Sequence, residues 1–177
     1  FDPAKKYPII AYVYPGPQTE SVTKTFNPRN SSMSLAQFGF IVVELGNRGG
    51  NPQRSKWYHN YGYGNLRDYG LADKKAGIEQ LARRHSFIDI NRVGIWGHSG
   101  GGFMSAAAIL AYPDFFKVAW SESGNHENNI YNNTWSEKNH GIKEVEKDGK
   151  ITFAFDIEKN SELAKNLKGH LMLVHGE

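Results

Sequence analysis

The pentapeptide Gly97-His98-Ser99-Gly100-Gly101 constrains this chain more than any other feature, because of what flanks it. Before it lies a short apolar run, Val93–Trp96. After it comes Gly102–Ala111 (GFMSAAAILA), an almost wholly apolar string of helix formers. A Gly-x-Ser-x-Gly spacing alone is weak, but between a strand and a helix it describes a sharp turn with a serine at its apex. The glycines are needed because side chains beside such a turn would strike the strand and helix it joins. The turn lifts the Ser99 hydroxyl above the sheet edge. It also aims the Gly100 N–H, at the helix start, toward a developing oxyanion. Ser99 is therefore the candidate nucleophile, Gly100 a candidate backbone donor, and Gly97, His98 and Gly101 the rest of the elbow.

The remaining pattern fits that turn. Tyr7–Tyr14 (YPIIAYVY) is a β-rich run ending at the breaker Pro15-Gly16-Pro17, which predicts a buried strand entering a loop. Phe40–Glu44, Lys117–Trp120 and Leu171–His175 are further runs, giving five with Val93–Trp96. Runs without alternation suit strands covered on both faces, as in a parallel sheet. Between them, Tyr69–Arg84 carries apolar residues at helical spacing, with Asn65 and Asp68 as a helix start, and Ser161–Leu167 predicts a short helix. The expected architecture is a doubly wound, mainly parallel α/β sheet with helices on both faces, occupying residues 1–177. Asn125–Gly149 is polar and is expected to be an excursion of loop and helix without a strand.

Composition narrows the chemistry. Twenty-one Lys and Arg against eighteen Asp and Glu leave a net charge of +3, with no basic run, too little to hold a nucleic acid. The absence of cysteine excludes disulfides, thiolate metal ligation and a cysteine nucleophile. No metal or cofactor motif is present, so none is expected. No apolar stretch approaches the roughly 18 residues needed to span a bilayer. The first residues, Phe1-Asp2-Pro3, lack an initiator Met, and the chain reads as a piece of a longer protein whose compartment is open, periplasmic or secreted being compatible.

A serine nucleophile needs a base. In α/β-hydrolase chains the order is Ser, acid, His, each acid or base following a later strand. Leu171–His175 is the expected strand before the acid, so acid and histidine are expected beyond Glu177, leaving the fold incomplete and this stretch inactive alone. His59, His85, His98, His126, His140, His170 and His175 are each expected to be structural or surface residues.

Several ordered blocks carry a family resemblance. These are Tyr7-Pro8 leading to Val13-Tyr14-Pro15-Gly16-Pro17, Asn47-Arg48-Gly49-Gly50, Phe87-Ile88-Asp89 with Arg92–Gly97, the elbow, and Val174-His175-Gly176. Together they resemble the catalytic α/β-hydrolase domain of prolyl oligopeptidase family serine peptidases, nearest the dipeptidyl-peptidase IV branch. The resemblance implies a peptide substrate and an acyl-enzyme on Ser99. It also implies that the Tyr14 phenol joins the Gly100 N–H in the oxyanion hole, and that Tyr131 and Trp135 line the substrate pocket. Their i, i+4 spacing suits one helical face. Arg48 is expected to be structural.

The sequence departs from the branch at His98 and Gly100, which stand where Trp and Tyr are usual, and at Trp135, which replaces a tyrosine. The Asn-rich stretch 125–133 is a further departure. The family's N-terminal β-propeller is not in the chain. A carboxylesterase or lipase on the same fold, or a non-catalytic binding relative, are the alternatives. A lipase would more often carry a His-Gly-Gly-Gly oxyanion loop where Tyr14-Pro15-Gly16-Pro17 stands. The exposed edge of Leu171–His175 predicts self-association. Asn30-Ser31-Ser32 and Asn132-Asn133-Thr134 match the glycosylation pattern.

Overall fold

The first apolar run forms β1 (Tyr7–Tyr12), and the other four become β4 (Ile41–Glu44), β5 (Ile88–His98), β6 (Phe116–Glu122) and β9 (His170–Val174). These five make one sheet in the order β4-β1-β5-β6-β9, every neighbouring pair parallel. The structure, a computed structural model, describes residues 1–16, 19–20, 22–63, 70–154, 157 and 159–176. Pro17, the helix-start pair Asn65 and Asp68, Tyr69 and Glu177 lie outside the described residues.

The helices are α1 (Ser31–Gln37), α2 (Lys56–His59), α3 (Leu71–Arg84), α4 (Gly100–Ala111), α5 (Asn133–His140) and α6 (Asn160–Leu163), the last running into a 3-10 turn at Ala164–Asn166. Helix α4 starts two residues earlier than its apolar run because Gly100 and Gly101 are already helical. Asn30 and Asn132, both in glycosylation-type patterns, are the N-caps of α1 and α5 and accept from Met33 and Trp135 N–H.

One sheet face is dry. Ile9, Ala11, Val93, Ile95 and Ala119 are buried there in one cluster with Leu71 and Ile78 of α3 and Phe103, Met104 and Ile109 of α4. On the other face α1 packs at the β4 edge, where the Ser32 hydroxyl donates to Glu44 at 2.6 Å. Val118, Trp120 and Met172 are 52%, 43% and 54% exposed. Among the described residues, no element covers that face of β6 and β9. An apolar run fixes that a strand can be buried, not what covers it.

Three local readings are corrected. Pro15–Gly16 is a two-residue strand, β2, paired antiparallel with β3 (Thr19–Glu20) rather than a plain loop. Asn125–Gly149 does hold a strand: β7 (Lys143–Lys147) pairs antiparallel with β8 (Lys150–Ala154) across Asp148-Gly149, both at positive φ. Asp-Gly between β-capable segments is a hairpin signal that the charged flanks obscure. Third, β5 extends back to Ile88 through a register shift opposite Pro8/Ile9. There Asp89 takes the Asn91 N–H at 3.0 Å and Arg92 Nε at 2.7 Å, and these bonds hold its carboxyl below the usual range.

Candidate active site

Strand order places the site. The chain leaves β1 for β4 on one side, then returns to lay β5 on the other side of β1. The carboxyl ends of β1 and β5 thus flank a topological switch point, where ligands bind in open α/β sheets. Val13-Tyr14 leaves one of those ends and Ser99 the other.

Ser99 is the N-cap of α4, with φ 56° and ψ −118°. A non-glycine residue held at positive φ costs about 1–3 kcal/mol, sustained only by what surrounds it. Its N–H donates to the Glu122 carbonyl at 2.8 Å and its carbonyl accepts from Phe103 N–H at 3.0 Å. Val13 N–H donates to the Trp96 carbonyl at 2.9 Å, carrying β1 pairing up to the turn. A Cβ on either Gly97 or Gly101 would collide with the Val13 carbonyl oxygen, and one on Gly101 would also press on Tyr14 Cα. The elbow glycines therefore let the β1 exit lie against the turn. They bring the Tyr14 backbone beside Gly101, while the Tyr14 ring is partly exposed. Gly100 is the first residue of α4, among the N–H groups that have no partner inside a helix and carry the positive end of its dipole.

His98 is the last residue of β5, directly before Ser99. It pairs with Glu122, its register partner on β6, at 3.7 Å between Nδ1 and Oε1, both side chains substantially exposed. Among the described residues no histidine hydrogen-bonds the Ser99 hydroxyl. His59 ends α2, His85 caps α3, His140 ends α5, and His170 and His175 bracket β9. His126 lies behind the first turn of α4, joined to Ser121 and Asn160. No group of three or more His, Cys, Asp or Glu able to hold a metal ion occurs among the described residues. No helix among them is long and apolar enough to cross a membrane.

Tyr131 and Trp135 do not share a helical face. Tyr131 precedes α5, and only Trp135 is helical. The rings still meet edge to face with centroids 5.9 Å apart, and Trp135 packs in turn on His140 at 5.0 Å. Among the described residues no hydrogen bond or ring contact joins either ring to Ser99. Burial pushes the His140 imidazole down to about 4, so it is neutral at pH 7.

The Asn-rich stretch proves to be a set of clips. The Asn129 amide bonds both backbone groups of Ile157, donating to its carbonyl at 2.7 Å and accepting from its N–H at 2.9 Å. Asn125 donates to Asn128, whose carbonyl takes the Ser136 hydroxyl at 3.0 Å. Asn160 and Ser121 carried no recognisable motif, and neither is singled out by sequence. The density of asparagine was the one available signal. Arg48 grips Asp73 of α3 at 2.6 Å and lies over the Tyr61 ring.

Residues 26–177 match the model of the prolyl oligopeptidase family. The chain is 36% identical to human dipeptidyl peptidase 8 over 119 residues, 66% of this chain and 13% of that protein. It is 34% identical to the dipeptidyl-aminopeptidase B assigned in Sclerotinia sclerotiorum over 113 residues, 62% of this chain and 12% of that protein. Its structure superposes on that of the Bacteroides ovatus protein assigned as dipeptidyl aminopeptidase IV with a TM-score of 0.81 and 30% identity, covering 99% of this chain and 24% of that one. Porphyromonas gingivalis dipeptidyl peptidase 4 shares the fold, with a TM-score of 0.80 at 23% identity and the same coverage. The chain thus spans only a small part of each relative's length.

Proposed function

The chain belongs to the prolyl oligopeptidase family of serine peptidases, and from that premise we propose that it carries the nucleophile half of a peptidase site. The observation that carries the reading is Ser99 at positive φ on a strand-to-helix turn at the sheet's switch point. In the proposed reaction Ser99 Oγ bonds to the substrate's carbonyl carbon as a base takes its proton. The oxyanion is held by the Gly100 N–H and the Tyr14 phenol. Collapse breaks the C–N bond, the proton passes to the leaving amine, and water then hydrolyses the acyl-enzyme. Support for Tyr14 is the close approach of its backbone to Gly101. Tyr131 and Trp135, in mutual contact after the carboxyl end of β6, are proposed to line the pocket for the residue before the cut bond.

The acid and base are proposed to come from a longer chain that includes this stretch, since family order puts both after the serine. Dipeptidyl release remains a property of the named relatives. The test is a fluorophosphonate probe and a chromogenic peptide amide, applied to a full-length chain carrying this sequence. The probe labels Ser99, and Ser99→Ala lowers kcat by roughly 10⁴–10⁶-fold. Cleavage that survives the substitution would end the peptidase reading. The 177-residue stretch alone is expected to stay unlabelled, because a serine without its base is an ordinary alcohol. Edge strand β9, with Met172 and Leu173 exposed, also supports self-association of this stretch. A clean monomer by light scattering at high concentration would remove that proposal.

A further inference from the structure

Behind the nucleophile turn lies a closed chain of polar groups that the proposed reaction does not use. Asn160 is 5% exposed. Its amide nitrogen lies 3.0 Å from the Phe103 carbonyl and 3.0 Å from His126 Nδ1, and its backbone N–H donates to the His126 carbonyl at 3.2 Å. The amide orientation is fixed by its partners. Turned over, its oxygen would face the Phe103 carbonyl, acceptor against acceptor. An amide nitrogen only donates, so His126 Nδ1 must accept, and the imidazole is neutral with its hydrogen on Nε2. That Nε2 lies 3.5 Å from Ser121 Oγ, a long contact. The Ser121 hydroxyl hydrogen is already given to the Gly102 carbonyl at 2.7 Å, which leaves its lone pairs to the imidazole. Both ends of the chain therefore grip the first turn of α4, at Gly102 and Phe103, three and four residues after Ser99.

We propose that Asn160 and His126 are positioning residues: with Ser121 they form a latch that fixes the α4 start, and so Ser99 and the Gly100 N–H, to the loop leading to Tyr131. The functional part rests on the peptidase reading above. The latch closes only on neutral His126, because a proton on Nδ1 would confront the Asn160 amide with a second donor. Burial, aided by nearby His175, holds the His126 imidazole below its ordinary value, so it is neutral at pH 7. The charged or titratable groups around it are His175 beyond β9, at 6.3 Å between ring centroids, and Glu127 beside it in sequence, paired with Lys159 at 3.3 Å. On the other elements they are Glu162 of α6, and Glu122 of β6 with its partner His98. Serine, glycine and phenylalanine supply the β6 and α4 contacts, so no formal charge lies within the latch itself.

The test uses a full-length chain carrying this sequence, with histidine-selective ¹⁵N NMR and kinetics normalised by active-site titration. His126 should show the Nε2–H tautomer. Asn160→Ala should raise its titration midpoint, because the bond that favours the neutral ring is gone. The same substitution should lower kcat by roughly 10-fold with little change in KM, as expected when a nucleophile is displaced by a fraction of an ångström. His126→Gln, which keeps an acceptor and a donor, should retain most of kcat, and His126→Ala should match Asn160→Ala. An Nδ1–H tautomer, or unchanged kcat in Asn160→Ala, overturns the proposal. Should Asn160→Ala fail to fold, the contrast between the two His126 variants makes the same decision. If the unsubstituted chain is not acylated at Ser99, the peptidase reading fails, and the latch stands or falls on the tautomer and the midpoint.

Discussion

The turn and helix at Gly97–Ala111 and the excursion at Asn125–Ala154 follow the carboxyl ends of the neighbouring strands β5 and β6 but are held by different forces. The first is held by packing. Every residue from Gly101 to Leu110 is buried, and the glycines are present because the Val13 carbonyl lies where a side chain would be. The second is held by directed bonds from side-chain amides, and its hairpin is exposed along both strands. Packing resists change at every atom, whereas a clip fails when a single amide is removed. The segment that carries the nucleophile is thus over-determined, and the segment proposed to shape the pocket is pinned at a few points.

The strongest way to break this contrast is to make one truncation in both regions. Phe103→Ala should cost about 4 kcal/mol, the loss of a fully buried ring plus the cavity it leaves. Phe153→Ala, at a residue 72% exposed, should stay within about 0.5 kcal/mol. Urea denaturation of both variants measures the difference, and equal costs would mean that the hairpin is not the exposed element described. A smaller effect, about 1–3 kcal/mol, is expected for Asn129→Ala, which strands the N–H and carbonyl of buried Ile157. That loss should appear as faster amide exchange around residue 157 with the α4 amides still protected. Uniform loss of protection would show one cooperative unit in place of two.

The smallest effect separates the regions by pH. His140 has a folded-state pKa of about 4 against 6.5 when unfolded, so the unfolded chain binds the extra proton. Its contribution is complete above about pH 6.5 and is lost as pH falls toward 4. The loss stems from burial of the ring alone, with no ion pair to screen. His140→Gln should flatten that part of the stability profile. An unchanged slope would assign the acid sensitivity elsewhere, His126 being the other histidine shifted in the same direction.

Legibility followed the range of the interaction. The elbow could be read because its demands are local: glycines where backbones touch, an apolar helix directly behind, and a strand directly before. The five strands could be read as apolar runs, though β5 reached back to Ile88 by a register shift that no periodicity reports. The β7–β8 hairpin was hidden by its charged residues, which are tolerated because both faces are exposed. Tyr131 and Trp135 meet as ring partners, but the helical face that i, i+4 spacing suggested does not exist, since Asn132 caps α5 between them.

By itself, then, the sequence determined the parallel α/β class, the strand-turn-helix at Ser99 and the family to which the blocks at Tyr14, Arg48 and Arg92 point. Each of these rests on neighbours in the chain, where residue type and spacing are enough. Only the tertiary structure decided that β1 and β5 lie side by side at the switch point, which sheet face is dry, and that Asn160 reaches Phe103 and His126 from 57 and 34 residues away. An amide carries no preference for a distant carbonyl until the apolar core has closed around both. Desolvation then makes the unsatisfied alternative cost several kilocalories, and that cost, not anything local to Asn160, selects its partners.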